Sequence, residues 1–249
     1  FSSACDGLLG VFSLALDEKH GRLWAGVSAL PEMKNFAADD EGRAFFAEYD
    51  LATGALVRAI PLPASGSGAH VLGSLVLADD GSVFATDSGA PVIWRIAPGA
   101  TQAEAWLQSD EFLSLQGLAF SADGRALYVA DYANGIWRID VATKTPRLLR
   151  APAHTTLFGI DDLRCTGRSL VAVQNGIAPL RVLRIDLDEA GDARAATVLT
   201  AGQPRLDDLA GGWLHDGRYY VVGNAGWSLF ESPSATPAPR DVALFSVTL

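Results

Sequence analysis

A chain of 249 residues, 49% hydrophobic and 19% charged, can bury its own core without help from disulfides or metals. Its apolar stretches are strand-length and stop at Gly, Asp or Pro, short of the roughly 20 residues that cross a bilayer, so no membrane span is expected. With 19 Lys and Arg against 29 Asp and Glu, a net charge of −10 and no basic cluster, the chain lacks a phosphate-tracking surface. That argues against nucleic acid and suits a small neutral or cationic ligand.

In chain order, "FSSAC" at residues 1–5 reads as an outer strand leading into the first of five related phrases. These are "FSLALDEKHGRLWAG" from Phe12, "GSLVLADDGSVFATDSGAPVIWRIA" from Gly73, "QGLAFSADGRALYVADYANGIWRID" from Gln116, "GIDDLRCTGRSLVAVQNG" from Gly159 and "LAGGWLHDGRYYVVGNAGW" from Leu209. Their starts lie 61, 43, 43 and 50 residues apart, the spacing of four-stranded propeller blades. The first interval is longer because residues 29–42 are inserted between the second and third strands. The predicted fold is therefore an all-β propeller, one domain over residues 1–249, with five visible blades.

Each phrase has the same internal grammar. Alternating apolar positions such as Leu127 and Val129 give a strand one buried face, and Asp80-Gly81 or Asp123-Gly124 supplies the positive φ of a tight hairpin. Third strands follow as "RAFFAEYD", "VIWRIA", "GIWRID", "RVLRID" and "VALFSV", and fourth strands as "LVRAIPL", "AEAWLQ", "PRLLRA" and "ATVLTA". The last phrase has no fourth strand of its own. Residues 1–5 are expected to fill that place by pairing with 242–247, which would remove an exposed sheet edge. Cys5 then sits on an outer strand and Cys165 at the end of an inner one, too far apart for a disulfide.

Several of these phrases, among them "QGLAFSADGRALYVADYANG", "GIDDL" and "YYVVGNAGW", resemble a group of bacterial propellers related to gluconolactonase, regucalcin and the NHL repeats. The resemblance implies a ring that usually has six blades, so a first blade is missing or the ring closes with five. It also implies a periplasmic or secreted location, many relatives having an export signal, with a cytoplasmic one as the alternative. Gluconolactonase-like enzymes hold a divalent cation with a Glu and two Asn, plus an Asp. The Glu has no counterpart here, one Asn falls near Gly73 and Ser74, the other at Gln116, and the Asp at Asp161.

In a propeller, the linkers into the inner strands and the turns after the second strands share one mouth. The linkers offer His70, Gln116, Asp161, Asp162, Asp207 and Asp208. The turns offer Asp87, Asp131, Gln174, Asn175, Asn224 and Trp227. Asp87 and Asp131 read as turn caps. Asp161, Asp207 and His70 are the catalytic candidates; Gln116, Asp162, Asp208, Gln174, Asn175, Asn224 and Trp227 are the ligand-binding ones. Asp161 is also the candidate metal ligand, for calcium, zinc or manganese, and a cage of Asp161, Asp207, Gln116 and Asn175 can be drawn. Two readings stay open: a lactone or ester hydrolase, or a non-catalytic propeller that binds a ligand or a protein partner. No phosphate loop, GxSxG elbow or HExxH helix is present.

Overall fold

Short alternating segments separated by Gly-containing turns can bury one face each only by stacking as sheets, and this is what the chain does. The computed structural model describes residues 7–33, 36–63, 69–230 and 241–249. It consists of antiparallel strands and two single turns of 3-10 helix, Ala38–Asp40 and Trp227–Phe230. Among the described residues no helix is long and apolar enough to cross a membrane.

The chain divides into two compact units, Phe1–Leu118 and Ala119–Leu249. The first contains β1 (Gly10–Asp17), β2 (Arg22–Ser28), β3 (Ala44–Asp50) and β4 (Leu56–Pro61), then β5 (Leu72–Leu77), β6 (Val83–Asp87), β7 (Val92–Ile96) and β8 (Glu104–Gln108). Each group of four is a sheet in sequence order, the blade of a propeller. β1 and β2 lie against β5, with Trp24, Phe46, Ile60, Leu72, Leu75 and Trp94 buried between the two sheets. Residues 29–42, read as an insertion, carry the first 3-10 turn between β2 and β3.

The division falls inside β9 (Leu115–Phe120), the inner strand of the sheet completed by β10 (Ala126–Asp131), β11 (Gly135–Asp140) and β12 (Thr145–Leu148). The second unit continues with β13 (Ile160–Thr166), β14 (Ser169–Gln174), β15 (Arg181–Leu187) and β16 (Ala193–Ala201). β17 (Gly212–His215), β18 (Arg218–Val222) and β19 (Leu244–Thr248) follow. This last sheet has three strands among the described residues. Residues 1–5, expected to pair with it, lie outside the described residues, as does Cys5; Cys165 is a free thiol.

Local chemistry explains the repeats. The hairpins between first and second strands place Gly81 at φ +85° and Gly124 at φ +68°, a region that a residue with a Cβ enters at a cost. At the far end of the second strand, Asp87 accepts four bonds: Val71 N–H at 2.9 Å and Gly89 N–H at 3.0 Å on Oδ1, and His70 Nδ1 at 2.5 Å and Trp94 Nε1 at 3.1 Å on Oδ2. Asp131 repeats the device, taking Ala133 N–H, Asn134 N–H and Trp137 Nε1 at 3.1–3.3 Å. Both carboxylates are fully buried. The recurring Asp and Trp of the phrases are thus partners, and the reading of both Asp residues as turn caps matches the bonds they make.

Removing Asp87 takes the acceptor from four donors at once, two of them on the buried side chains of His70 and Trp94. Asp87→Ala is expected to lower stability by about 3–5 kcal/mol, read as a fall in the urea midpoint with an unchanged m-value. A loss below about 1 kcal/mol would show that the cluster is not a keystone of its blade.

Candidate functional site

Three of the inner strands, β1, β5 and β13, share an irregularity that alternation in the sequence does not reveal. Pairing slips by one residue between Val11 and Ser13 in β1, between Leu72 and Ser74 in β5, and between Ile160 and Asp162 in β13. A bulge of this kind leaves one extra residue unpaired and re-aims its side chain. The extra residues are Phe12, Gly73 and Asp161. Asp161 therefore stands off its ladder while Asp162 returns to it, so the doubled Asp splits into two different environments.

Asp161 is half-buried. Its Oδ2 accepts a hydrogen bond from Asn175 Nδ2 at 3.1 Å. The same Nδ2 donates to Leu209 O at 2.8 Å, and Asn175 Oδ1 accepts from the Tyr132 hydroxyl at 3.0 Å. Three sheets of the second unit thus meet through one amide: Tyr132 follows β10, Asp161 and Asn175 belong to the β13–β14 end, and Leu209 leads into β17. Burial, then the charge of Asp162, and more weakly that of Asp208, push the Asp161 carboxyl up to about 6, against the pull of the Asn175 bond. Burial and the Asp161 charge likewise raise the Tyr132 phenol.

The neighbouring carboxylates are occupied. Asp162 is 3% exposed and its Oδ2 accepts Gly212 N–H at 2.9 Å and the Tyr219 hydroxyl at 2.6 Å, while Arg164 lies 3.1 Å from Oδ1. It joins β13 to the last sheet. Asp208 takes Gly226 N–H at 2.7 Å and bridges to Asn224. Of the second Asp pair it is Asp208, not Asp207, whose charge acts on Asp161; Asp207 is exposed.

The remaining candidates have structural engagements. Gln174 is buried, donating to Thr156 O and Phe158 O and accepting from Arg181 Nε at 2.8 Å. Asn224 accepts from Ala243 N–H and donates to Asp241 O, tying the end of β18 to the residues that lead into β19. Gln116 belongs to the first unit, with Ser88 Oγ at 3.2 Å from its Oε1 and Ser114 Oγ at 3.3 Å from its Nε2. Trp227 is 49% exposed on the second 3-10 turn. His70 has Asp87 on Nδ1 and Pro63 O, at 3.1 Å, on Nε2. Both partners are acceptors, which favours the doubly protonated ring, and both nitrogens are engaged within the fold.

The cation cage expected around Asp161 does not fit this arrangement. A hard cation needs oxygen ligands, and Asn175 turns its nitrogen, not its oxygen, toward Asp161. Among the described residues no three His, Cys, Asp or Glu side chains are grouped as a metal site would require. The residue that sequence reasoning missed is Tyr132. Its signal was positional: Ser88, Tyr132 and Asn175 each directly follow the last residue of a second strand.

No family model and no curated protein matches the chain. Solved structures match it in shape. The WD40 repeats of RRP9 align with a TM-score of 0.59 and 13% identity over 86% of this chain and 57% of that one. A Thermus thermophilus protein assigned as an oxidoreductase (glucose dehydrogenase) aligns at 0.60 and 16% over 98% and 84%. An inactive variant of virginiamycin B lyase from Staphylococcus aureus, with quinupristin, aligns at 0.58 and 17% over 87% and 64%. The fold is a β-propeller. The chain spans less than two thirds of the RRP9 and lyase structures, and at these identities the likeness speaks for the propeller scaffold, which hosts many unrelated activities.

Two solution measurements follow from the electrostatics. As pH rises from about 4 to 6, Asp161 loses its proton in the unfolded chain before it does in the propeller, so its ionisation subtracts stability that stays lost above pH 6. Asp161→Asn is expected to stabilise the protein by about 1–2 kcal/mol at pH 7.5 and to flatten the profile in that window. Asp162→Asn, which removes the charge paired with Arg164, is expected to destabilise at pH 7.5, and equal behaviour of the two variants would refute their assignment to different environments. His70 has the opposite sign. The Asp87 bond raises its pKa, helped by the Asp87 charge and Pro63 O and opposed by burial. Its contribution is complete below about 6.5, the ordinary imidazole value, and fades as pH rises through the raised value. His70→Gln should erase that decline in thermal melts run from pH 5 to 9.

Proposed function

We propose that the protein binds a small molecule beside Tyr132, Asp161 and Asn175 and hydrolyses a lactone or simple ester there, with Asp161 as general base. The observation that carries this reading is the state of Asp161: half-buried, bonded by one amide, its carboxyl pushed up to about 6. A base works best when its pKa lies near the working pH, and such a group contributes about 10²–10⁴-fold to a rate. In this role ionised Asp161 accepts a proton from water as the water oxygen bonds to the ligand's carbonyl carbon. The carbon–oxygen bond to the leaving alkoxide then breaks, and the alkoxide takes the proton back. No step passes through a metal. The resemblance of the phrases to gluconolactonase-type propellers and the presence of an oxidoreductase and a lyase among similar structures support an enzyme.

A second reading, a propeller that binds a ligand or protein partner without chemistry, is favoured by one observation. Trp227 and Phe230, both about half exposed, lie on a turn whose preceding Gly226 is bonded to Asp208, and exposed aromatic side chains serve binding surfaces.

The readings part in a pH-stat assay on glucono-δ-lactone and simple aldonolactones, corrected for spontaneous opening. The wild type should hydrolyse with kcat/KM rising through about pH 6, and Asp161→Asn should lose at least about a hundredfold. A wild type that binds the lactone by calorimetry without accelerating its opening would exclude the hydrolase and leave the binding propeller.

A further inference from the structure

The amide of Asn175 has an orientation dictated by its partners. Leu209 O is an acceptor only, so the group facing it at 2.8 Å must be Nδ2, and Oδ1 must face Tyr132. The Tyr132 hydroxyl has a single proton, and it is directed to that Oδ1. Tyr132 is itself seated by backbone: a Cβ on Gly176 would stand 2.8 Å from the Tyr132 hydroxyl and from the ring carbon bearing it, and 2.5 Å from the Gly159 Cα. Gly176 therefore leaves the space that the hydroxyl end of the ring fills, and Gly159 lies directly against Gly176. Their backbones are pinned together, because Gly159 N–H donates to Tyr132 O at 2.8 Å and Gly159 O accepts from the N–H groups of Asn175 and Gly176.

We propose that Tyr132 is a positioning residue that acts through Asn175, locking the amide so that its donor edge, never its oxygen, is held against Asp161. A flipped or tilted amide would present an oxygen to a carboxylate already crowded by like charge. The charged and titratable groups around that carboxylate are Asp162 and Arg164 on its own strand, Asp208 on the linker into the last sheet, and Tyr132 and Tyr219 from the sheets on either side. Arg164 is committed to Asp162, so the Asn175 amide is the hydrogen-bond donor that the structure brings to Asp161. The inference rests on Asp161 being the reacting group.

The test reads the amide and the reaction separately. In ¹H–¹⁵N spectra of the wild type, the two Asn175 side-chain protons should be resolved and slow to exchange. Tyr132→Phe, which removes one hydrogen bond and little volume, should speed that exchange about tenfold. On glucono-δ-lactone the same variant should lower kcat about tenfold with KM nearly unchanged, because the change acts on the placement of the base and removes no more than one hydroxyl beside it. An amide whose exchange is unaltered, or a loosened amide with unchanged kcat, overturns the proposal. A loosened amide in a protein that shows no lactone hydrolysis even as wild type supports the lock and refutes the hydrolase reading instead. Should Tyr132→Phe fail to fold, the wild-type spectrum decides: a rapidly exchanging Asn175 amide overturns the lock, and a protected one supports it.

Discussion

Four consecutive times along this chain, a sheet satisfies the backbone of the one that follows it without a strand to do it. The polar residue at or just after the end of a second strand performs that task. Ser28 Oγ accepts Leu72 N–H at 3.0 Å, Ser88 Oγ donates to Leu115 O at 2.7 Å, and Asn175 Nδ2 donates to Leu209 O at 2.8 Å. Tyr132 does the same with its main chain, accepting Gly159 N–H. A buried carbonyl or N–H left without a partner costs about 1–3 kcal/mol, so these positions admit only side chains or geometries able to reach across. The polar rim of the propeller is thus first a structural requirement, and chemistry can be added only where one of its members has capacity to spare.

That spare capacity is unevenly distributed. Asp87 and Asp131 have their oxygens filled by turn amides and tryptophan, Asp162 by a tyrosine, an amide and an arginine. His70 has both nitrogens engaged. Among the described residues Asp161 accepts one amide proton, that of Asn175, and its carboxyl is moved toward neutrality. A group that is well bonded stabilises the fold; a group that is poorly bonded and crowded by like charge costs stability and keeps reactivity.

The architecture was legible because its causes are local and repeated. Gly81 and Gly124 mark hairpins by a conformation few other residues tolerate, and the Asp-then-Trp spacing of "TDSGAPVIW" and "ADYANGIW" encodes a bond between adjacent strands. The linker carboxylates were legible only as a set. Asp161 and Asp162 are chemically identical in sequence, and a bulge one residue wide decides that one is exposed to like charge and the other neutralised by Arg164. Asp207 and Asp208 differ in the same way, through a backbone bridge to Asn224. Tyr132 escaped notice because its role depends on the absence of side chains at Gly159 and Gly176, a contact between distant segments that no spacing rule contains.

The slipped residue of the inner strands has one more property. Because it belongs to neither face of its ladder, it is exempt from the alternation that ties every other strand position to core or solvent. A phenylalanine, a glycine and an aspartate occupy it in β1, β5 and β13. Such a site can diverge after duplication without the sheet having to be redesigned around it, so copies of one blade can acquire different chemical faces while remaining interchangeable as building units.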